Sequence, residues 1–182
     1  PGGVRIWDVD TGKELAVLSA HPVHGIAFGA DARLAPAGVD STVRIWEPGR
    51  GQQLLTLRGY TDVVRTVAFT PDGHRLVTVS EDRSVRVWDA TPLREGETVG
   101  DELFTLSGHT NCVNTVRFHP TEPLLASGSS VGTIRYCNVR AGFAPHRVFQ
   151  PGLDGVHAVA FSPDGTRLAS SGLPAAGAAV LE

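Results

Sequence analysis

Val4-Arg5-Ile6-Trp7-Asp8, Val43-Arg44-Ile45-Trp46-Glu47 and Val85-Arg86-Val87-Trp88-Asp89 are three copies of one string, and Ile134-Arg135-Tyr136-Cys137-Asn138 is a worn fourth. The copies return at intervals of about 40 to 45 residues or slightly more, the mark of an architecture built by repetition. Each alternates apolar and polar residues and carries β-branched or aromatic side chains, which suits a half-buried strand. The string moves the functional question from what the chain catalyses to what its surface holds.

The unit around the third copy is the easiest to read outward. Val63–Phe69 suits a strand, and Thr70-Pro71-Asp72-Gly73 is a turn in which Pro sets φ and Gly accepts a positive one. Arg75–Ser80 is a second strand and Glu81-Asp82-Arg83 a tight turn. Ser84–Asp89 is a third strand, and Glu102–Leu106 a fourth. Residues 90–101 form a polar insertion read as a solvated loop. Four short antiparallel strands per unit, without helical periodicity, describe one blade of a propeller. Phe28, Phe69, Phe118 and Phe161 close the first strand of successive units.

With these strings and Gly108-His109 at the matching offset, the chain resembles the WD-repeat β-propeller family over nearly all of residues 1–172. The expected fold is all-β: a half-blade at 1–18, blades at 21–57, 60–106 and 109–149, a half-blade at 152–172, and an irregular tail at 173–182. The resemblance implies a noncatalytic scaffold for protein–protein interaction. The chain begins inside a repeat and reads as a segment of a longer, multidomain signalling or regulatory protein. Its Ala, Gly and Arg usage points to a bacterial source. A propeller needs about 4 to 8 blades. The end halves could close within one chain, or with a second copy, or missing blades of a parent chain could complete the ring.

Bulk properties narrow the classes. The 182 residues carry a formal net charge of −3, which argues against a nucleic-acid surface. No stretch approaches the roughly 18 to 20 apolar residues of a membrane span. Two cysteines make no disulfide framework. Cys112 and Cys137 fall on first and third strands, too far apart to bridge. Free thiols suit a reducing, cytoplasmic setting.

The family resemblance also assigns the chemical-looking residues to a buried hydrogen-bond set. It implies His before the first strand, Ser/Thr in the second, Asp in the following turn and Trp in the third. The matching residues are His21, Asp40 and Trp46, then Thr78, Asp82 and Trp88, then His109 and Ser127. No blade keeps the full set. Pro36 takes the hydroxyl place and Tyr60 the His place, while Val131 and Cys137 replace Asp and Trp. The first and third blades are therefore expected to be weaker than the second. No catalytic residue, metal or cofactor is expected. The resemblance places partner proteins or peptides on the face shared by the loop before the first strand and the turn after the second. The matching residues are His24, Arg65, Asn114 and His157, then Val63 and Cys112, then Val39, Glu81 and Ser130. Arg65 is the best anchor. The runner-up reading is a ligand, metal or enzymatic site at the same mouth, built from His24, His157 and Arg65.

Overall fold

The structure is a computed structural model that describes residues 3–19, 22–91, 100–139 and 145–174. The described residues form sixteen strands in five separate antiparallel sheets. The first sheet pairs β1 (Gly3–Trp7) with β2 (Glu14–Ser19). Three four-stranded sheets follow. They are β3 (Val23–Phe28), β4 (Leu34–Gly38), β5 (Val43–Glu47) and β6 (Gln52–Leu57); β7 (Val64–Phe69), β8 (Arg75–Ser80), β9 (Val85–Asp89) and β10 (Glu102–Leu106); and β11 (Val113–Phe118), β12 (Leu124–Ser129), β13 (Ile134–Asn138) and β14 (Pro145–Phe149). The last sheet pairs β15 (Leu153–Phe161) with β16 (Leu168–Pro174). This is the expected all-β arrangement of three whole blades between two halves. β16 runs through Leu173 and Pro174, opposite Gly155 and Leu153, so strand pairing extends into the segment expected to be an irregular tail. The rest of that tail, and most of the 90–101 insertion, lie outside the described residues.

Sequential strands pair in order within each full sheet, as short turns between antiparallel neighbours require. The first strands β3, β7, β11 and β15 stand side by side across blade boundaries. They form the inner wall, and the fourth strands lie outermost. The apolar cores sit between blades: Val43, Ile45, Leu55 and Leu57 of one blade share a cluster with Val64, Leu76 and Trp88 of the next. The second strands of the three full blades are covered on both faces, and β4 is buried at every residue.

Two devices that the sequence did not reveal join neighbouring blades. Arg33, before β4, donates from Nη2 to the carbonyls of Ala90 (2.5 Å) and Gly73 (3.2 Å) of the next blade. Arg75, the first residue of β8, donates to the Val139 carbonyl at 2.6 Å. These staples are charge-assisted and largely shielded from water. Gly132 is the second device. Its φ is +72°, and a Cβ there would come within 1.7 Å of the Leu153 carbonyl oxygen, so the last half-blade packs where a side chain would be.

Pro36 has the expected effect on the first full blade. β8 pairs with β9 at five positions, whereas β4 pairs with β5 only at Leu34↔Trp46 and Ala37↔Val43. The missing Pro N–H thins the ladder at a central strand.

Candidate functional site

The buried polar sets differ among blades. In the second, Trp88 Nε1–H lies 2.9 Å from Tyr60 Oη and 3.0 Å from Thr78 Oγ1, and the two hydroxyls bond each other. Burial raises the Tyr60 phenol far above its ordinary value, so it stays neutral. Asp82 does not join this set. Its carboxylate accepts from the Thr61 N–H (3.1 Å), the Ser84 N–H (2.9 Å) and the Ser84 hydroxyl (2.5 Å), tying the loop to the turn. A phenol offers one hydroxyl where an imidazole offers two nitrogens, so Tyr60 serves the indole and leaves the carboxylate to the backbone. Burial acts to raise the Asp82 carboxyl, but the Ser84 and Thr61 hydrogen bonds outweigh it and hold the group below its usual range.

In the first full blade, Trp46 is buried and its Nε1–H finds no acceptor among the described residues. Pro36 offers no hydroxyl, and His21 lies outside the described residues. Asp40 bonds Thr42 and Arg44 instead of the indole. In the third, His109 Nε2 lies 2.8 Å from Ser127 Oγ, and Nδ1 faces Thr133 Oγ1 at 3.3 Å. Burial lowers the His109 imidazole to about 4. Ser127 and His109 are closed to solvent, and a hydroxyl, not a carboxylate, faces the far ring nitrogen. A nucleophile–base pair needs access and an orienting acceptor, so this pair is built as core. Cys112 and Cys137 are both free, and burial raises the Cys137 thiol. The repeated strand Arg is also architectural: Arg86 donates to the Gly59 carbonyl at 2.8 Å and Arg135 to the Gly108 carbonyl at 2.6 Å.

The inner wall is different. Each first strand slips register against the second at a matching place: between Val23 and Gly25, Val64 and Thr66, Val113 and Thr115, and Val156 and Ala158; β15 slips once more, between Leu153 and Gly155. The residues inside the four matching bulges are His24, Arg65, Asn114 and His157. A bulge adds one residue to one strand and re-aims its side chain. Here the four side chains, together with Ser130, line one cavity of about 450 Å³. Five of the nine residues expected on the partner face thus share one concavity.

Arg65 forms an ion pair with Glu81 at 2.7 Å, and its Nε–H is buried without an acceptor among the described residues. Asn114 donates to the Val156 carbonyl (3.0 Å) and to Ser130 Oγ (3.1 Å), bracing the next blade. Val39, Val63 and Cys112 do not line the cavity. Their backbones link loop to turn: the Val39 N–H donates to the Pro22 carbonyl, the Glu81 N–H to that of Val63, and the Ser130 N–H to that of Cys112. Among the described residues, no group of three or more His, Cys, Asp or Glu side chains could hold a metal ion.

A family model described as "WD domain, G-beta repeat" matches residues 12–47, 51–89, 100–136 and 144–173. These segments are offset from the blades by one strand, each starting at or near the outermost strand of the blade before. WD repeat and SOCS box-containing protein 1 of Xenopus tropicalis is 37% identical over 93 residues, which cover 48% of this chain and 22% of that protein. Coronin-7 of Rattus norvegicus is 37% identical over 105 residues, covering 53% and 11%. Nuclear distribution protein nudF of Aspergillus terreus is 34% identical over 85 residues, covering 47% and 18%. The matched part spans less than a quarter of each of these relatives.

Proposed function

The chain belongs to the WD-repeat family, and from that we propose that it is a noncatalytic scaffold holding a partner protein or peptide at the mouth lined by its inner-strand bulges. WD-repeat membership supports an interaction role in general; the partner face is our own reading. One observation carries it. His24, Arg65, Asn114 and His157 come from four different sheets, and the same bulge delivers each to one cavity. A mixed lining of Arg, Asn, His and Ser suits a polar protein segment anchored by the arginine. Glu81 holds the Arg65 guanidinium in place, which lowers the entropy lost on binding.

We assign the segment to a larger bacterial regulatory protein in a reducing cytoplasm, on its composition and free thiols. A ligand or metal at the same mouth has in its favour that His24, His157 and Arg65 share the cavity. Zn²⁺ titration separates the two readings: a rise in Tm lost in His24→Ala/His157→Ala supports the metal, and no rise supports the scaffold. The direct test is quantitative affinity capture from cells of the source organism. Arg65→Glu is expected to abolish enrichment of the specific partners, and the exposed outer-strand variant Leu103→Glu to leave it unchanged. Equal enrichment with both would overturn the proposal.

A further inference from the structure

The turns after Phe28, Phe69, Phe118 and Phe161 lie at the far end of the first strands from the bulges. There the residue that follows each closing Phe faces the ring of the next blade. A Cβ at Gly29 would lie 3.5 Å from the Phe69 ring, and the His119 imidazole packs edge-on against Phe161 with centroids 5.2 Å apart. Gly29 leaves room for Arg33. Its guanidinium lies over Phe69, 5.7 Å from the centroid, and pairs with Asp31 at 2.5 Å. A flat, nitrogen-bearing side chain thus covers Phe69 and another covers Phe161.

The boundary between these two is open. It separates two whole blades, β7–β10 and β11–β14, and holds a cavity of about 300 Å³ with Phe118 in its lining. Thr70 stands where His119 stands in the next blade, but its short side chain turns to Asp72 Oδ1 at 2.5 Å. Arg75 precedes Leu76 as Arg33 precedes Leu34, yet it reaches the Val139 carbonyl and covers no ring among the described residues. Phe118 therefore has neither a cation nor a ring against it among those residues.

The lining repeats the charge of the filled seat. Asp72 holds the place of Asp31, third after the closing Phe, and Glu122 adds a second carboxylate from the turn of the next blade. Among the described residues neither makes an ion pair; Asp72 accepts only from Thr70 and the His74 N–H. The guanidinium in the lining, Arg75, already donates to a carbonyl.

We propose that this cavity seats one arginine side chain of a partner protein, stacked on Phe118 and paired with Asp72 and Glu122. A guanidinium is flat, keeps its charge and presents forked donors to carboxylates, whereas a lysine ammonium is a point charge without a face. Arg33, over Phe69 and paired with Asp31, is the same arrangement closed within the chain. The cavity is at the small end of ligand pockets, which suits one side chain and not a folded element. It is a second contact surface, at the other end of the strands from the bulge-lined mouth.

The test is NMR titration of the full isotope-labelled chain with three probes: acetyl-arginine amide, acetyl-lysine amide and acetyl-citrulline amide, the last flat but uncharged. The arginine probe is expected to give saturable shifts at the amides of Thr70, Phe118 and Glu122, and to bind about tenfold tighter than either other probe. Glu122→Gln, on an exposed side chain, is expected to weaken it by about the same factor. Thr70→His, which places an imidazole where His119 has one, is expected to abolish binding with the folded spectrum kept. Glu47→Gln, in the first full blade, is expected to leave it unchanged. No saturable shift with the arginine probe would overturn the proposal. So would equal affinity for all three probes, or binding indifferent to both Glu122→Gln and Thr70→His.

Discussion

Trp46 and Trp88 hold the same place in successive blades, yet the Trp88 indole N–H has two acceptors and that of Trp46 has none among the described residues. A buried polar group without a partner costs about 1–3 kcal/mol. Trp46→Phe keeps the ring and removes the stranded N–H, so it should leave stability within about 1 kcal/mol of wild type. Trp88→Phe should remove the two hydrogen bonds that the indole N–H makes to Tyr60 and Thr78 and cost more. Urea midpoints of the two variants check the contrast.

Tyr60 and Thr78 share one indole, so their losses should not add. Tyr60→Phe or Thr78→Val alone leaves Trp88 one acceptor and should cost about 1 kcal/mol. The double variant strands the N–H and should cost more than the sum, by about 0.5–3 kcal/mol. A double-mutant cycle in urea measures the difference.

His109 makes stability depend on pH. Its folded value, about 4, lies below the ordinary 6.5 because burial disfavours the imidazolium. Between these values the unfolded chain takes up a proton that the folded chain refuses. The stabilisation is complete above about pH 6.5 and falls by about 3 kcal/mol on acidification to pH 4. His109→Gln should flatten that window in urea titrations run at each pH. Asp72 and Asp89, held below the usual carboxylate value mainly by their Thr70 and Thr91 hydrogen bonds, act in the same direction at lower pH.

Arg33 is a staple between blades, and Arg33→Ala should lower stability by about 1.5–3 kcal/mol per charged hydrogen bond lost. Arg33→Lys should not restore it, because an ammonium cannot reproduce the guanidinium fork that spans Asp31, Gly73 and Ala90. Thermal melts of the three proteins check this.

The second full blade should be the best protected. It keeps five pairings between its second and third strands and a satisfied indole, while Pro36 thins the first and Cys137 replaces the Trp in the third. Hydrogen exchange should show slower amides in β8 and β9 than in β4, β5, β12 and β13. Equal protection would contradict this account.

The strands were legible because each string alternates at a period of two and each turn carries its own chemistry, as at Pro71-Asp72-Gly73. The four wall residues were legible as positions, but their bulges were not. A register slip belongs to a pair of strands and leaves no mark on either one alone. Arg33 and Arg75 were missed for a similar reason: their acceptors, Ala90 and Val139, lie in the next blade, far along the chain. Asp82 was assigned to the tryptophan set because the family pattern assumes His where this chain has Tyr60.

The claim that matters most is that partners are held at the bulge-lined mouth. Cross-linking mass spectrometry of the captured complex tests it directly, with a photoreactive residue placed at Asn114 or His157 on the mouth and at Leu103 on the outer strand. The account predicts partner cross-links from Asn114 and His157 and none from Leu103. Cross-links confined to Leu103 would contradict it.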